Sequence, residues 1–386
     1  MIGVCIKYFH ENYGGMLQAY ATVSMLEKRG LNYELIRYKK HYSLWQKLKQ
    51  IPRLFNVILL NDKKETLRKM IGKKKHPDFA RNDSVRLVAF AKFRDAKFVS
   101  LSPVYVGFDN LCEGAKRYDA VITGSDQLWS PAGLPTNFYN LMFVPENIRK
   151  ISIASSFGVK YIPWYQISRT RKYLKRIEYI SMREIKGSDI VKELTGREVP
   201  TILDPVFLFD EKEWEQLVPV KVDLDEPYIF AYFLGDNVEY RNEVKEAAKE
   251  LGCKIVALRH LDQYVNADES FGDYAPYNVD PECFLNLLRG AAYVCTDSFH
   301  GAAFSIIHHK QCIIFNRYAK HSKYSKNSRI DTLCENLNIK NRRFCSGMKL
   351  VSQIQEKINY EYVDELLVKL KKETNKYLDE ALDGIS

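Results

Sequence analysis

The stretch YVCTDSFHGAAFSIIHHKQCIIF, Tyr293 to Phe315, decides how this chain is read. Tyr293–Cys295 is a short apolar run of strand type. Thr296, Asp297 and Ser298 are turn and N-cap residues. Phe299–His308 reads as a helix, with small residues at Gly301, Ala302 and Ala303, and Cys312–Phe315 as the next buried strand. A polar cluster therefore stands where a strand ends and a helix begins. In an open α/β sheet, ligands bind at that place. The unsatisfied N–H groups of a first helical turn favour an anion, phosphate above all. His300 lies in that turn, able to bind an anion or to donate a proton to it.

Outward from this segment, strands and helices alternate. Gly3–Phe9 predicts a strand, Met16–Lys28 a helix ended by Gly30, and Tyr33–Arg37 a strand. A basic helical insertion follows, about 39–98. Strands are expected at Ala120–Thr123, Ile151–Ser155 and Tyr179–Met182, with helices near Ile167–Arg176 and Ser188–Leu194. After Pro200–Pro205 the pattern begins again: strand Tyr228–Leu234, helix Val238–Leu251, strand Lys254–Leu258, helix Pro281–Ala291. The expected fold is α/β, with one Rossmann-like half over 1–199 and a second over 200–345. The tail, 346–386, is amphipathic, with Val363, Leu366, Leu367, Leu370, Tyr377 and Leu378 on one stripe. It reads as a helix that closes the fold.

Composition sets bounds that agree. The 386 residues suffice for two domains of ordinary size. No apolar run is long enough to span a membrane, and MIGVCIKYF lacks the basic start and long apolar core of a secretory signal. The eight cysteines form no C-x-x-C pair, so buried thiols in a reducing cytoplasm are expected, and neither a disulfide framework nor a metal site. The formal charge of +10 is concentrated between Lys39 and Lys75, where lysine and arginine outnumber Asp62 and Glu65 and interleave with large apolar residues such as Trp45 and Phe55. Such a segment is either a helix lying on an anionic membrane surface or a solvated insertion packed on its own domain. No nucleic-acid module is present, and charge alone confers only non-specific affinity.

Two more strand-end loops face the expected cleft. Asn12, Tyr13, Gly14 and Gly15 follow the first strand, where glycines let backbone approach a ligand. The loop is not G-x-G-x-x-G, which argues against a dinucleotide. Ser125, Asp126, Gln127 and Trp129 follow Gly124. Asp126 can hold or activate a sugar hydroxyl, and Trp129 either stacks on a sugar face or packs beneath the loop. His10 ends the first strand and either borders the cleft or, the preferred reading, is structural.

Four motifs in order carry a family resemblance: ENYGGMLQAYA, YDAVITGSDQLWSP (118–131), ISMREIKGSDIVKELTG (180–196) running on into LDPVFLF, and DSFHG. Together they resemble the polysaccharide pyruvyl transferase family over roughly residues 1–345. The resemblance implies two Rossmann-like domains facing a cleft, the architecture of B-type glycosyltransferases. It also implies transfer of pyruvyl from phosphoenolpyruvate to two hydroxyls of a cell-surface glycan or its lipid-linked precursor, giving a cyclic ketal with no cofactor. The N-terminal half would hold the acceptor through Asn12–Gly15, Ser125, Asp126, Gln127 and Trp129. The C-terminal half would hold the donor through Asp297, Ser298, Gly301, Arg317 and Arg329, with Arg183 reaching in. His300 matches the family's histidine and is the expected acid. The best-known members place an arginine two residues before it; here Ser298 stands there and cannot supply that charge. Arg183 matches a donor-binding arginine, or else pairs with Glu184 or a neighbouring helix. Two other readings remain: a nucleotide-sugar glycosyltransferase, and a carbohydrate-binding relative without catalysis.

Overall fold

The computed structural model describes residues 1–41, 57–221, 224–260, 263–318 and 327–385. Apolar runs of four or five residues form its inner strands, because parallel strands covered on both faces must be apolar throughout. In chain order they are β1 (Ile2–Cys5), β2 (Tyr33–Lys39), β3 (Leu101–Val106), β4 (Ala120–Thr123), β5 (Arg149–Ser155), β6 (Tyr179–Met182), β7 (Tyr228–Tyr232), β8 (Lys254–Leu258), β9 (Tyr293–Thr296) and β10 (Gln311–Ile314). Every residue of β1, β4 and β7 is buried.

The strands make two parallel sheets. The first runs β3-β2-β1-β4-β5-β6 and the second β10-β9-β7-β8. In the first, Ile2 lies opposite both Tyr33 and Ala120. In the second, Ile229 lies opposite both Ile255 and Tyr293. Each order reverses once, between β1 and β4 and between β7 and β9. Crevices open beyond the strand ends at such reversals. The sequence reading lacked β3. This strand contains Pro103 and is mostly exposed, both features of an edge strand, and an edge has no apolar run to betray it.

Within the described residues, the basic insertion forms two helices, Val57–Lys75 and Pro77–Lys97. Trp45 and Phe55 lie outside the described residues. The second helix is no solvated appendage. Arg86 donates to the carbonyls of Arg259 (2.9 Å) and Pro276 (3.2 Å) in the other half. Phe90 packs on Tyr13, which stacks on Phe284 at 4.9 Å. Tyr232 completes this aromatic cluster, so one apolar core joins the two halves below the cleft.

The tail forms a helix, Tyr360–Leu382. Its first residue, Tyr360, donates to the Lys310 carbonyl of the second half. Farther along, Thr374 accepts from the Leu203 amide, and Tyr377 donates to the Ser152 carbonyl of the first half at 2.7 Å. The helix straps one half to the other. No described helix is long and apolar enough to cross a membrane.

Candidate active site

The ends of β1, β4, β7, β9 and β10 meet around a cleft of about 650 Å³. That volume suits a small-molecule site. One wall carries Lys7, Asn12, Asp126 and Gln127 from the first half. The other carries Asp297, Ser298, His300, Arg317 and Arg329 from the second.

His300 sits in the first turn of the helix Phe299–Ile307, whose N-cap is Ser298; the Ser298 hydroxyl accepts from the Gly301 amide at 3.3 Å. The imidazole is nearly enclosed, and its Nε2 makes no hydrogen bond. That nitrogen stands 3.5 Å from Oδ2 of Asp204, within ion-pair distance. Asp204 is fully buried beneath the cleft. It accepts from Arg183 Nη1 (2.7 Å) and from the Ser125 hydroxyl (2.8 Å). Burial alone would raise its pKa, but His300 and Arg183 outweigh burial and hold the carboxyl well below the usual range. The negative charge facing His300 is therefore permanent at neutral pH.

Two arginines flank the ring of Phe299, Arg183 at 4.7 Å and Arg329 at 5.8 Å. Their surroundings differ. Arg183 is locked between Asp204 and Asp126 (3.4 Å) and does not reach the cleft wall. This corrects the expectation that it reaches into the donor site, and its ion-pair partners are Asp204 and Asp126, not Glu184. Glu184 instead accepts from Ser156. Arg329 does line the cleft. Gln127, with its amide oxygen turned toward the guanidinium, accepts from Nη1 (3.2 Å) and Nη2 (2.6 Å), while Nε meets no partner. Burial and the nearby positive Arg183 push its pKa down to about 10, so it remains a cation at neutral pH.

Asp126 bridges the two arginines and lies near Lys7. Burial raises its pKa, but Arg183, Lys7 and Arg329 hold it far below the ordinary value. Such a carboxylate is a poor base and a good hydrogen-bond acceptor. It suits holding a hydroxyl and not deprotonating it. Its φ of 75° is a left-handed conformation that aspartate tolerates.

Several expected contacts are corrected by burial. Tyr13 lies wholly in the interdomain core. Trp129 packs against Phe157 and Tyr173 and donates to the Tyr139 carbonyl, so it is not a sugar platform. Ser125 is spent on Asp204. Gly14 and Gly301 touch protein: a Cβ on Gly14 would stand 2.3 Å from the His300 Cβ, and one on Gly301 2.6 Å from the Thr296 hydroxyl. Asp297 lines the cleft, but its oxygens accept from the amides of Leu234 (2.6 Å) and Gly235 (2.8 Å). It ties the β9 loop to the β7 loop and is no anion ligand. Asn12 caps the first helix and Gly15 donates to it, both at the cleft edge.

Residues the sequence reading missed are Lys7, Lys40, Lys69 and Phe299 on the cleft and Asp204 beneath it, while His10 takes the alternative given for it and borders the cleft. β1 ends at Cys5, four residues before the expected end. That extension hid Lys7 in a strand interior. Asp204 had a signal, a carboxylate before Pro205 in an apolar run. Lys40 and Lys69 approach only through tertiary packing. Among the described residues no three His, Cys, Asp or Glu side chains gather as metal ligands.

Two Rossmann-like sheets enclosing a polar, cation-rich cleft at their reversal points give the chain the architecture of B-type glycosyltransferases. The chain belongs to the polysaccharide pyruvyl transferase family, whose profile matches residues 12–318. It is thus a transferase. None of the curated proteins matches it in sequence. In fold it is similar to a protein assigned as a UDP-N-acetylglucosamine 2-epimerase from Listeria monocytogenes, with 11% identity and TM-score 0.52 over 100% of this chain and 97% of the other. The S. aureus MnaA–UDP structure aligns with 10% identity and TM-score 0.48 over 97% and 91% of the chains. Acinetobacter baumannii MurG aligns with 10% identity and TM-score 0.45 over 98% of each. At these identities the likeness concerns the fold alone.

Proposed function

We propose that this enzyme transfers the pyruvyl group of phosphoenolpyruvate to two hydroxyls of a glycan acceptor, forming a ketal. The observation that carries this reading is the charge of the cleft: Lys7, Lys40, Lys69, Arg317 and Arg329 against Asp126 and Asp297, around one enclosed imidazole. A small, multiply charged phosphate–carboxylate donor matches that excess.

His300 delivers a proton to the methylene carbon of the donor, and positive charge develops at the adjacent carbon. A sugar oxygen bonds there, the carbon–oxygen bond to phosphate breaks, and a second hydroxyl closes the ketal. Of the two hydroxyl protons released, one restores His300 and the other leaves on phosphate. Asp204 orients the imidazole from below. Arg329 and Arg317 hold the donor's anionic groups, taking over the charge that Ser298 does not provide. Asp126 accepts a hydrogen bond from the acceptor.

The test is thermal protection by phosphoenolpyruvate and by a panel of nucleotide sugars, followed by mass analysis of glycan products. Phosphoenolpyruvate should raise the melting temperature and nucleotide sugars should not. His300→Gln should keep that protection while turnover drops by roughly 100- to 10,000-fold. Protection by a nucleotide sugar alone, or wild-type turnover in the variant, would overturn the assignment.

A further inference from the structure

The helix Val57–Lys75 has one side turned to the protein and one to solvent. On the inner side, Lys73 and Lys69 pair with the buried Asp83 of the next helix, the latter at 3.7 Å. Gly72 is buried against Tyr264, whose ring stacks on His76 at 3.5 Å. Thr66 and Lys69 border the cleft.

Among the described side chains, the outer side carries large apolar residues interleaved with lysine and arginine. Leu60, Leu67, Met70 and Ile71 are 38%, 55%, 64% and 45% exposed. Spacings of seven, three and one bring them to one face of an α-helix. Lys64, Arg68, Lys74 and Lys75 are exposed around them.

We propose that this face docks the enzyme on an anionic lipid bilayer. An amphipathic helix with an apolar stripe and cationic margins lies in the headgroup plane, its apolar residues shallowly inserted and its lysines on anionic lipid. Because the opposite side of the same helix borders the cleft, docking brings the cleft to the bilayer surface. This inference rests on the pyruvyl transfer proposed above and refines its acceptor: a glycan carried on a membrane lipid, presented at the surface the helix touches. Lys73, turned inward to Asp83, takes no part.

Sedimentation of the full chain with vesicles tests this, using phosphatidylglycerol mixed with phosphatidylcholine against phosphatidylcholine alone. Binding to the anionic vesicles at low salt, weakened by added salt and absent on neutral ones, is expected. Two double variants, Leu67→Ser with Met70→Ser and Lys74→Glu with Lys75→Glu, should each weaken it roughly tenfold or more with an unchanged melting temperature. No binding, equal binding to both vesicle types, or wild-type binding by both variants would overturn the proposal. So would a dimer in sedimentation that Leu67→Ser with Met70→Ser dissociates, which would assign the face to a second copy of the chain. Donor protection is measured without lipid, so failure of docking and failure of the pyruvyl transfer reading give separate results.

Discussion

Arg183 and Arg329 show how much one residue's surroundings decide. Both are arginines near the same aromatic ring. Arg183 has two carboxylate partners and sits below the cleft wall, while Arg329 shares Asp126 at 3.9 Å and faces the cavity. Removing Arg183 would strip the buried Asp204 of its hydrogen-bonded guanidinium, leaving it only His300, and breaking a buried pair typically costs about 3–5 kcal/mol. Arg183→Ala should therefore lower the melting temperature sharply. Arg329→Ala should leave the fold largely intact and weaken phosphoenolpyruvate binding by roughly tenfold or more, the loss of one charged hydrogen-bonding partner. Calorimetry and thermal unfolding on the two variants check this, and the reverse pattern would exchange the two roles. Both arginines were candidates from the sequence. Which one reaches the ligand was not legible there, because residue type does not say which carboxylates will stand beside each after folding.

At the scale of elements, the site depends on how closely the first helix approaches the histidine helix. Gly14 lies in the first turn of Tyr13–Lys28, in ordinary helical conformation, where alanine would favour the helix by about 1 kcal/mol. Yet its Cβ would fall 2.3 Å from the Cβ and 2.5 Å from the Nδ1 of His300. These atoms sit near the His300 backbone and cannot swing aside. Gly14→Ala is therefore expected to destabilise the protein by about 1–3 kcal/mol, the usual cost of overpacking, and to reduce turnover by displacing His300. A chemical unfolding curve together with a donor titration would separate this from ligand contact: a stable variant with weakened donor binding would return Gly14 to the cleft wall. The glycine pair was legible as a point of close approach, but what approaches is protein and not ligand.

Across the whole molecule, the aromatic core and the C-terminal helix hold the two halves together, and buried ionisable groups make that assembly sensitive to acid. His308 ends the histidine helix, where Arg289 Nε donates to its Nε2 at 3.4 Å. Burial, reinforced by Arg289, pushes its pKa down to about 3. The unfolded chain then binds a proton that the folded one refuses, so stability is lost as pH falls from about 6.5 toward 3, by about 2 kcal/mol at pH 5. Asp126 and Asp204, also depressed, act in the same direction only below about pH 4, while the raised Glu184 and Asp297 oppose them. His308→Gln should accordingly flatten the decline in melting temperature between pH 6.5 and 5. A slope identical to that of the wild type over that range would place the acid sensitivity elsewhere.

The sequence alone determined the α/β class, the order of all strands but the edge strand β3, the closing helix, and the histidine at the head of its helix. Those features are local: apolar runs, caps and motif residues follow one another along the chain and need no distant partner to be recognised. Tertiary structure decided the rest. It brought Asp204 to within 3.5 Å of His300, far along the chain, carried Lys40 and Lys69 to the cleft, and turned Tyr13 and Trp129 into core. The physical reason is that a side chain's role here is set by its burial and by which charge stands beside it, and both are properties of surfaces that meet only after the two sheets have packed.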